Sequence, residues 1–221
     1  MKDKLLIGIT GKKQSGKDTV GKLLISLYLS KKVDRFKKTK FEYIYQTISE
    51  QSYYYLYKFA DPLKNIVAKL IDCSRGNLEN EVFKNTLLPK WNLTPREIMQ
   101  KFGTDFCRAF NPQVWIDMLD KEIAWSDQDI IVITDVRFYN EVNYIKNMNG
   151  IIIKVVDPSQ QNLDSHISEN ELDDFEHYNY IVYNKKESLD VMYSESLKNE
   201  VEKIYNDIDS KNYGKDDQNI I

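Results

Sequence analysis

The feature that most constrains the fold of this chain is a glycine-rich stretch near its start. It reads Gly-Lys-Lys-Gln-Ser-Gly-Lys-Asp-Thr over residues 11–19, between an apolar run at residues 5–10 and an apolar pattern with helical spacing. A strand, a glycine-rich loop and a helix start in this order favour phosphate binding, because the loop and first helical turn aim N–H groups at phosphate oxygens. The alternative is a glycine-rich turn that only caps a helix. We interpret the stretch as a P-loop of a nucleotide-binding chain.

One position of the loop departs from the strict pattern. Asp18 stands where a Ser or Thr usually coordinates magnesium. A carboxylate can hold Mg²⁺ directly or through water, and Thr19 is then available for the α-phosphate. Lys17 is expected to reach the β- and γ-phosphates. The ATP-binding residues predicted from this loop are Gly11, Ser15, Gly16, Lys17, Asp18 and Thr19.

Composition excludes several classes of protein. The 221 residues carry a net charge of −3, whereas a protein that coats nucleic acid is usually basic, so we expect no nucleic-acid polymer as partner. The two cysteines, Cys73 and Cys107, match no metal-binding spacing and are typical of a reducing compartment. No apolar run approaches the length of a membrane span, so we expect no membrane partner and a cytoplasmic protein.

The order of apolar segments predicts an α/β fold with a doubly wound, mainly parallel sheet and flanking helices. We expect one domain over residues 1–210, a small lid over about 157–176, and a flexible tail over 211–221. Strands are predicted at about 5–10, 53–60, 129–134, 150–156 and 180–183. Helices are predicted from the P-loop to about Leu29, from Asp61 as N-cap, from Thr94 to about 102, over about 111–123, over about 138–148 and over about 187–207.

An acidic residue follows one of the buried strands. Asp135 comes directly after the mostly apolar strand at residues 130–134, and Arg137 lies two positions on. This is the Walker-B arrangement, in which the carboxylate holds Mg²⁺ or its waters beside the P-loop. Arg137 is suited to clamping a phosphate or stabilising charge on a transferred phosphoryl group. The alternative is a surface Asp–Arg pair beside a strand.

A second set of polar side chains lies in the middle of the chain. Arg96 and Gln100 are four residues apart and share a helix face. Gly103 is expected to end that helix and to expose Thr104 and Asp105. Taken alone, these residues are equally consistent with a helix that carries ordinary surface polar groups.

Several other polar residues are ambiguous on their own. Lys13 and Lys64 are single lysines, and most of these are solvated. His166 lies among acids in the polar, irregular stretch 157–176, which suits a mobile lid, but a single histidine is more often structural. Asn184 begins an Asn-Lys-Lys-Glu run that is only weakly similar to the guanine signature of GTPases.

Taken together, these blocks resemble the phage and viral deoxynucleoside monophosphate kinases of the P-loop kinase superfamily, over about residues 5 to 190. The family's Asp after the P-loop Lys also accounts for Asp18. The matching blocks are Gly11-x4-Gly16-Lys17-Asp18-Thr19, Phe59-Ala60-Asp61-Pro62-Leu63-Lys64, Thr94-Pro95-Arg96 through Gln100, Gly103-Thr104-Asp105, Asn111-Pro112 with Trp115, Asp135-x-Arg137-x-x-Asn140-Glu141, and Asp164-Ser165-His166-Ile167-Ser168-Glu169 with Asn184.

The resemblance implies roles that spacing alone does not give. ATP would be the donor and a deoxynucleoside monophosphate the acceptor, with an acceptor-binding part at about 61–125 and a location in the host-cell cytoplasm for a viral enzyme. Asn184 would lie by the adenine, and His166 and Glu169 would belong to the lid and the substrate site. The acceptor would be surrounded by Lys13, Leu63, Lys64, Arg96, Gln100, Thr104, Asp105, Trp115 and Arg137.

The sequence also departs from the family's pattern. It contains no Arg after Arg137, so Arg137, Lys13 and Lys17 are left to neutralise the transferring phosphoryl group. The expected catalytic residues are Lys17, Arg137 and Asp135, with Mg²⁺ held by Asp18 and Asp135. Whether the chain forms a homodimer stays open.

Three other functions remain as alternatives. An animal-type phosphomevalonate kinase shares the Ser-Gly-Lys-Asp loop but lacks this aromatic-bearing acceptor segment, and Trp115 as a base-stacking group favours a nucleotide. A GTPase or ATPase switch would use the loop without an acceptor. A non-enzymatic nucleotide-binding scaffold would bind ATP and turn over nothing, which Lys17, Asp18 and Asp135 together argue against.

Overall fold

The structure is a computed structural model that describes residues 4–159, 170–185 and 193–211. Its contacts divide the chain into two compact units. The sheet unit comprises the chain up to Tyr57 and from Ser126 onward, and the helical unit is Lys58–Trp125. The helical unit has nearly the same bounds as the segment expected to bind the acceptor. The assignment of both units to one kinase domain remains a prediction.

The sheet unit is built on five parallel strands in the described residues. These strands are β1 (Leu5–Thr10), β2 (Leu56–Tyr57), β3 (Ile130–Ile133), β4 (Ile151–Val156) and β5 (Tyr180–Tyr183). Their order in the sheet is β2-β3-β1-β4-β5, and Ile7 in the central strand pairs with Val132 on one side and Ile151 on the other.

Helices connect and cover these strands. Short 3₁₀ helices at Asp34–Phe36 and Arg75–Glu79 and a π-helix at Lys101–Cys107 accompany them. The described α-helices are α1 (Lys17–Lys32), α2 (Phe41–Glu50), α3 (Ser52–Tyr55), α4 (Asp61–Leu70), α5 (Glu81–Lys84), α6 (Pro95–Gln100), α7 (Arg108–Phe110), α8 (Val114–Trp125), α9 (Tyr139–Asn147) and α10 (Glu195–Ser210). None of the helices within the described ranges has the length and apolar character needed to cross a membrane.

The strands are apolar on both faces because helices cover both. Every second residue of a strand points to the same face of the sheet. On one face, residues such as Ile7 of β1 and Val132 of β3 belong to one core cluster with side chains of α1, α2 and α10. On the opposite face, Ile145 of α9 lies over Gly8 of β1. Each fully buried Ile or Leu contributes about 2 kcal/mol to this packing. The doubly wound α/β sheet predicted from the sequence is confirmed.

The order of the strands defines where ligands bind. The central strand β1 lies between β3 and β4. In open α/β sheets, ligands bind outside the carboxyl ends of the strands where the strand order reverses. The loops after β1, β3 and β4 therefore form the candidate site of the sheet unit.

One predicted strand was mostly wrong. Residues 53–60 were expected to form a strand because they are rich in tyrosine, but the chain forms α3 and then only the two-residue β2. β2 pairs only with β3, and the rings of Tyr53 and Tyr54 are exposed. The β-preference of aromatic residues depends on a half-buried sheet surface, which these two positions do not have.

Several helix ends also differ from the expectation. Asp61 was expected to be an N-cap, but Ala60 occupies that position and Asp61 pairs with Arg75 instead. Thr94 does cap α6 through the predicted capping box, although the chain then continues as the π-helix rather than ending near 102. The last helix begins at Glu195, and its predicted start near 187 lies outside the described residues.

Candidate active site

The glycine-rich loop has a backbone that only glycine fits at two positions. Gly11 and Gly16 have φ angles of 147° and 99°. A Cβ at Gly11 would lie 2.3 Å from the carbonyl oxygen of Val155 in β4. Between them, the Ser15 N–H donates to the Lys12 carbonyl at 3.1 Å. The loop is therefore a tight turn packed against the end of the neighbouring strand.

The start of α1 suits an anion. Gly16 is the N-cap, and no side chain caps the helix there. The N–H groups of the first turn of a helix lack intrahelical partners, and the helix dipole adds positive partial charge. Asp18 and Thr19 of this turn are exposed and half-buried, respectively. The geometry matches the phosphate-binding role predicted for the loop.

Lys17 lies against the loop rather than extending into solvent. Its ammonium donates to the carbonyl oxygens of Gly11 and Lys12, each at 2.7 Å. A lysine ammonium carries three donors, so it can bridge several oxygens at once. The main chain thus holds one positive charge at the loop.

The end of β5 also supports the loop. The side-chain amide of Asn184 donates to the Ser15 carbonyl at 2.9 Å, while its main-chain N–H donates to Val156 at 2.8 Å. A Cβ at Gly16 would lie 2.2 Å from the Asn184 amide nitrogen. The buried Asn184 therefore holds the loop in place, a contact that sequence reasoning missed when it placed this residue by the adenine.

The turn after β3 is fixed by a buried glutamate. Glu141 of α9 is 1% exposed, and its Oε2 accepts from the main-chain N–H groups of Arg137 at 2.7 Å and Phe138 at 3.1 Å. Asp135 is buried at the strand end, and the N–H of Val136 donates to Ile9 of β1 at 3.2 Å. The main chain of Arg137 is therefore held in one conformation. Glu141 belongs to a motif of the sequence, but its spacing did not reveal this contact.

A cavity of about 230 Å³ lies among these loops. Of the predicted residues, Gly11, Ser15 and Arg137 line it. Sequence reasoning missed Lys154 and Asp157, which also line it at the end of β4. Asp157 directly follows the carboxyl end of β4, and this position was the signal that could have found it, whereas Lys154 lies within the strand.

Two buried hydroxyl groups lie in this region, one in the loop and one directly after β3. Within the described residues, Ser15 Oγ and Thr134 Oγ1 are buried and have no hydrogen-bond partner. A buried hydroxyl without a partner costs about 1–3 kcal/mol. Ser15 lies in the loop and Thr134 immediately before Asp135, so both are close in sequence to predicted phosphate or metal ligands.

The carboxylates predicted at these loops are of the type that holds Mg²⁺ together with phosphate. In the part of the chain that the structure describes, no three or more His, Cys, Asp or Glu side chains cluster as a metal site would. Mg²⁺ is commonly held by one or two carboxylates together with substrate phosphates, so such a cluster is not required. Asp18 and Asp135 supply carboxylates of this kind.

The loop is also tied to the far end of the predicted lid. The ammonium of Lys12 donates to Asn170 Oδ1 at 3.1 Å and pairs with Asp173. The neighbouring Lys13 is half-buried in the loop. Two predicted substrate residues in the lid, His166 and Glu169, lie outside the described residues.

In the helical unit, Lys64 forms an ion pair in which the lysine is mostly buried and the glutamate is exposed. Its ammonium donates to both carboxylate oxygens of Glu79, at 2.9 and 3.1 Å, and Arg75 also donates to Glu79. Burial lowers the pKa of Lys64, while the Glu79 carboxylate opposes that shift. Burial would raise the pKa of Glu79, but Lys64 and Arg75 outweigh it and lower this pKa to about 2.

Arg96 is held by two side chains of the same unit. Its Nε donates to Asn85 Oδ1 at 3.0 Å, and one Nη donates to Glu81 Oε2 at 2.9 Å. Gln100, one helical turn further, is half-buried. Neither Glu79 nor Glu81 was singled out from the sequence.

The remaining predicted acceptor residues of this unit lie in the π-helix or pack against it. Trp115 is 3% exposed, and its indole N–H donates to the Gly103 carbonyl at 3.0 Å. A Cβ at Gly103 would lie 2.4 Å from Leu63. Thr104 is half-buried and Asp105 is exposed. In this structure the Trp115 ring is a core residue, and its burial does not support the base-stacking role expected of it.

Comparison with known proteins identifies the family. A sequence profile described as deoxynucleotide monophosphate kinase matches residues 56–196. The chain belongs to the deoxynucleotide monophosphate kinase family. It is also 30% identical over 208 residues to a protein of Acanthamoeba polyphaga mimivirus provisionally described by the same name, covering 87% of this chain and 94% of that protein.

Two phage enzymes match shorter parts of this kinase. The deoxynucleoside-5'-monophosphate kinase of Escherichia phage T5 is 35% identical over 75 residues, or 31% of this chain and 30% of that enzyme. The deoxynucleotide monophosphate kinase of Enterobacteria phage T4 is 30% identical over 143 residues, or 59% and 56%. Among solved structures, TT1252 from Thermus thermophilus aligns with a TM-score of 0.45 and 14% identity, covering 94% of this kinase and 97% of that chain.

Proposed function

We propose that this kinase transfers the γ-phosphate of ATP to a deoxynucleoside 5'-monophosphate. The observation that carries the proposal is that Arg137 lines the same cavity as the glycine-rich loop, in a chain of this family. The sheet unit would bind the triphosphate, and the helical unit would supply the acceptor residues. Because both substrates are cytoplasmic metabolites, we expect the reaction to take place in the cytoplasm.

The proposed reaction is a direct transfer. An oxygen of the acceptor's α-phosphate forms a bond to the γ-phosphorus, and the bond from that phosphorus to the β–γ bridging oxygen breaks. ADP leaves with the electron pair of that bond. The acceptor phosphate is already ionised at neutral pH, so no general base is needed, and catalysis consists of positioning and neutralisation of charge.

The residues of the sheet unit would share this neutralisation. The N–H groups at the start of α1 would bind phosphate oxygens, with Lys17 at the β- and γ-phosphates. Arg137, on a main chain fixed by Glu141, would face the transferring group. Lys13 would add a further positive charge. Asp18 and Asp135 would hold Mg²⁺, which would supply positive charge against the phosphates.

Residues of the helical unit would bind the acceptor. Arg96 would anchor its phosphate, and Lys64, Gln100 and Thr104 would complete the site. Asn184, His166 and Glu169 remain proposed ligands on the adenine and lid sides. A homodimer is compatible with this proposal, which does not require one.

The decisive test is ADP production by the full chain with ATP and Mg²⁺, measured without an acceptor and with each of the deoxynucleotides, ribonucleotides and mevalonate phosphate. Turnover with one or more deoxynucleotides, lost in Lys17→Ala, is the expected result. We expect kcat to fall about a thousandfold, because a cation aimed at the transition state is removed. Lys22→Ala, which removes a similar charge further along α1, is the matched control.

Each other outcome of this test overturns the proposal in a different way. Turnover only with mevalonate phosphate would identify a phosphomevalonate kinase. Equal ADP formation without any acceptor would indicate an NTPase. Nucleotide binding without turnover would indicate a scaffold, and full activity of Lys17→Ala would remove the proposed role of the loop lysine. Thermal unfolding of each variant separates lost chemistry from lost folding.

A further inference from the structure

Arg96 is held by the short helix α5, which lies in the expected acceptor-binding part but holds no residue that the sequence singled out. Glu81 begins this helix, and Asn85 follows its last residue. The two side chains accept hydrogen bonds from different nitrogens of the Arg96 guanidinium. The side chain of Arg96 is 20% exposed, so the contact is partly shielded from water.

Asn85 is itself oriented by the helix. Its side-chain amide donates to the main-chain carbonyl of Glu81 at 2.7 Å. Because the nitrogen of the amide is engaged there, the oxygen is directed at Arg96 Nε. The Asn80 side chain caps the other end of the helix, where its Oδ1 accepts from the Phe83 N–H at 2.9 Å. Both ends of this four-residue helix are thus fixed by contacts that do not involve Arg96.

Glu81 is held as well. Its Oε1 pairs with Lys84 at 2.5 Å, and its Oε2 accepts from Arg96 at 2.9 Å. The carboxylate therefore binds two cations at once, and its contact with Lys84 restricts the motion of the Glu81 side chain. An arginine side chain has many rotamers, and fixing it costs entropy that is then not lost again on binding a ligand.

The N–H donors of Arg96 that Glu81 and Asn85 do not use are suited to binding a phosphate. Guanidinium has five N–H donors, and the contacts with Glu81 and Asn85 use two of them. Nε makes one contact and one Nη makes the other, so three donors remain on the outer fork formed by the two Nη groups and can bind a bidentate anion. A carboxylate that took the place of the substrate phosphate would instead accept from both Nη groups of the outer fork.

We propose that Glu81 and Asn85 are positioning residues that hold the outer fork of Arg96 toward the phosphate of the acceptor nucleotide. This inference rests on the proposed function, since it takes Arg96 as the acceptor's anchor. The two side chains act through Arg96 and do not themselves touch the acceptor. Their loss affects the binding of the acceptor and leaves the binding of ATP unchanged.

The test is steady-state kinetics of the full chain with a deoxynucleotide that it phosphorylates. Glu81→Ala is expected to raise the KM for the deoxynucleotide about tenfold, the size of a lost charge-assisted contact. Glu81→Gln keeps an acceptor oxygen and is expected to raise it about threefold. The KM for ATP and the kcat at saturation stay within about twofold of the parent in both. Glu122→Ala, an exposed glutamate of α8, is the control for loss of one negative charge.

A double-mutant cycle separates positioning from general structural support. In an Arg96→Ala background, Glu81→Ala and Asn85→Ala are expected to have no further effect on the KM for the deoxynucleotide. Additive losses in that background, or a parallel rise in both KM values, would overturn the inference. A lower KM in Glu81→Gln would also overturn it, because it would show that the carboxylate competes with the phosphate.

The same measurements distinguish a failure of this inference from a failure of the proposed function. If Arg96→Ala leaves the KM for the deoxynucleotide unchanged, the acceptor assignment itself is wrong. If Arg96→Ala raises that KM and Glu81→Ala does not, only the positioning role fails. Thermal unfolding of Glu81→Ala shows whether the variant is folded, and Glu81→Gln supplies the milder substitution should it not be.

Discussion

The phosphate loop and the acceptor segment hold their cations in different ways. In the sheet unit, main-chain carbonyls of the loop accept from Lys17, and a buried carboxylate accepts from the main-chain N–H of Arg137. In the helical unit, carboxylates bind the side chains directly, as Glu79 does for Lys64 and Glu81 for Arg96.

This difference separates two kinds of sensitivity. The geometry of the sheet-unit site depends on backbone conformation, so substitutions that alter φ or close packing should damage it most. The geometry of the helical-unit site depends on charge, so substitutions and pH values that neutralise a carboxylate should affect it. In both ion pairs the basic side chain is mostly buried while the carboxylate is nearly half exposed, so we expect each pair to contribute modestly.

The largest effect is expected where a side chain is forced into the loop. Gly16→Ala places a Cβ 2.2 Å from the Asn184 amide at a φ of 99°, so either the loop or Asn184 must move. We expect kcat/KM for ATP to fall at least about a hundredfold and the free energy of unfolding to fall by about 1–3 kcal/mol. Steady-state kinetics and chemical denaturation measure the two effects.

The control for this substitution is the double variant with Asn184→Ala. Removing the amide relieves the collision but not the unfavourable φ, so stability should return only in part. Full activity of Gly16→Ala would contradict the view that the backbone of the loop determines this site.

An intermediate effect is expected at the turn after β3. Glu141→Gln replaces a carboxylate that accepts two main-chain N–H bonds with an amide whose oxygen is a weaker acceptor. We expect kcat to fall about tenfold, because Arg137 loses its fixed position, with little change in either KM. Presteady-state measurement of the chemical step tests this.

Glu176→Gln, an exposed carboxylate of the same unit, is the comparison for Glu141→Gln. If Glu141→Gln lowers stability but leaves the chemical step unchanged, then Glu141 only caps α9. The catalytic position of Arg137 would then not depend on this carboxylate.

The smallest effect concerns acid stability of the helical unit. The pKa of Glu79 is lowered to about 2 from the usual 4.5, so its ionised form is favoured in the folded state. The stability it contributes is present above about pH 4.5 and is lost as the pH falls toward 2. Glu79→Gln should therefore be less stable than the parent at pH 6, and this difference should shrink by pH 3.

Urea unfolding at pH 6, 4 and 3 measures that difference. Because Glu79 is partly exposed, the effect should also weaken at high salt. A difference between parent and variant that is independent of pH would mean that the Lys64–Glu79 pair does not hold its charge in the folded state.

Local patterns of the sequence were sufficient for much of the fold. β1 and β5 have the predicted bounds, and Thr94 caps α6 as its spacing indicated. These features depend on neighbouring residues only: alternation of apolar side chains, a glycine-rich turn, and a Thr three residues before a Glu. The failed strand at 53–60 shows the limit, because its pairing depended on what lay beside it rather than on its own composition.

The contacts that organise the two sites were beyond such patterns. Asn184 reaches Ser15 across 169 positions, and Glu81 reaches Arg96 across 15. Nothing in the composition of either segment marks these partners, since Asn and Glu are common on any surface. The sequence could thus name the arginines and the P-loop lysine, whereas the residues that hold them required the folded chain.

The division of the chain into two units has an optical consequence. All three tryptophans, Trp91, Trp115 and Trp125, belong to the helical unit. Trp115 is buried, whereas Trp125 is 87% exposed. Indole emission therefore reports on that unit alone, while far-ultraviolet circular dichroism reports on the whole backbone. If the two units melt separately, the two signals will change at different denaturant concentrations; if they melt together, one transition will describe both.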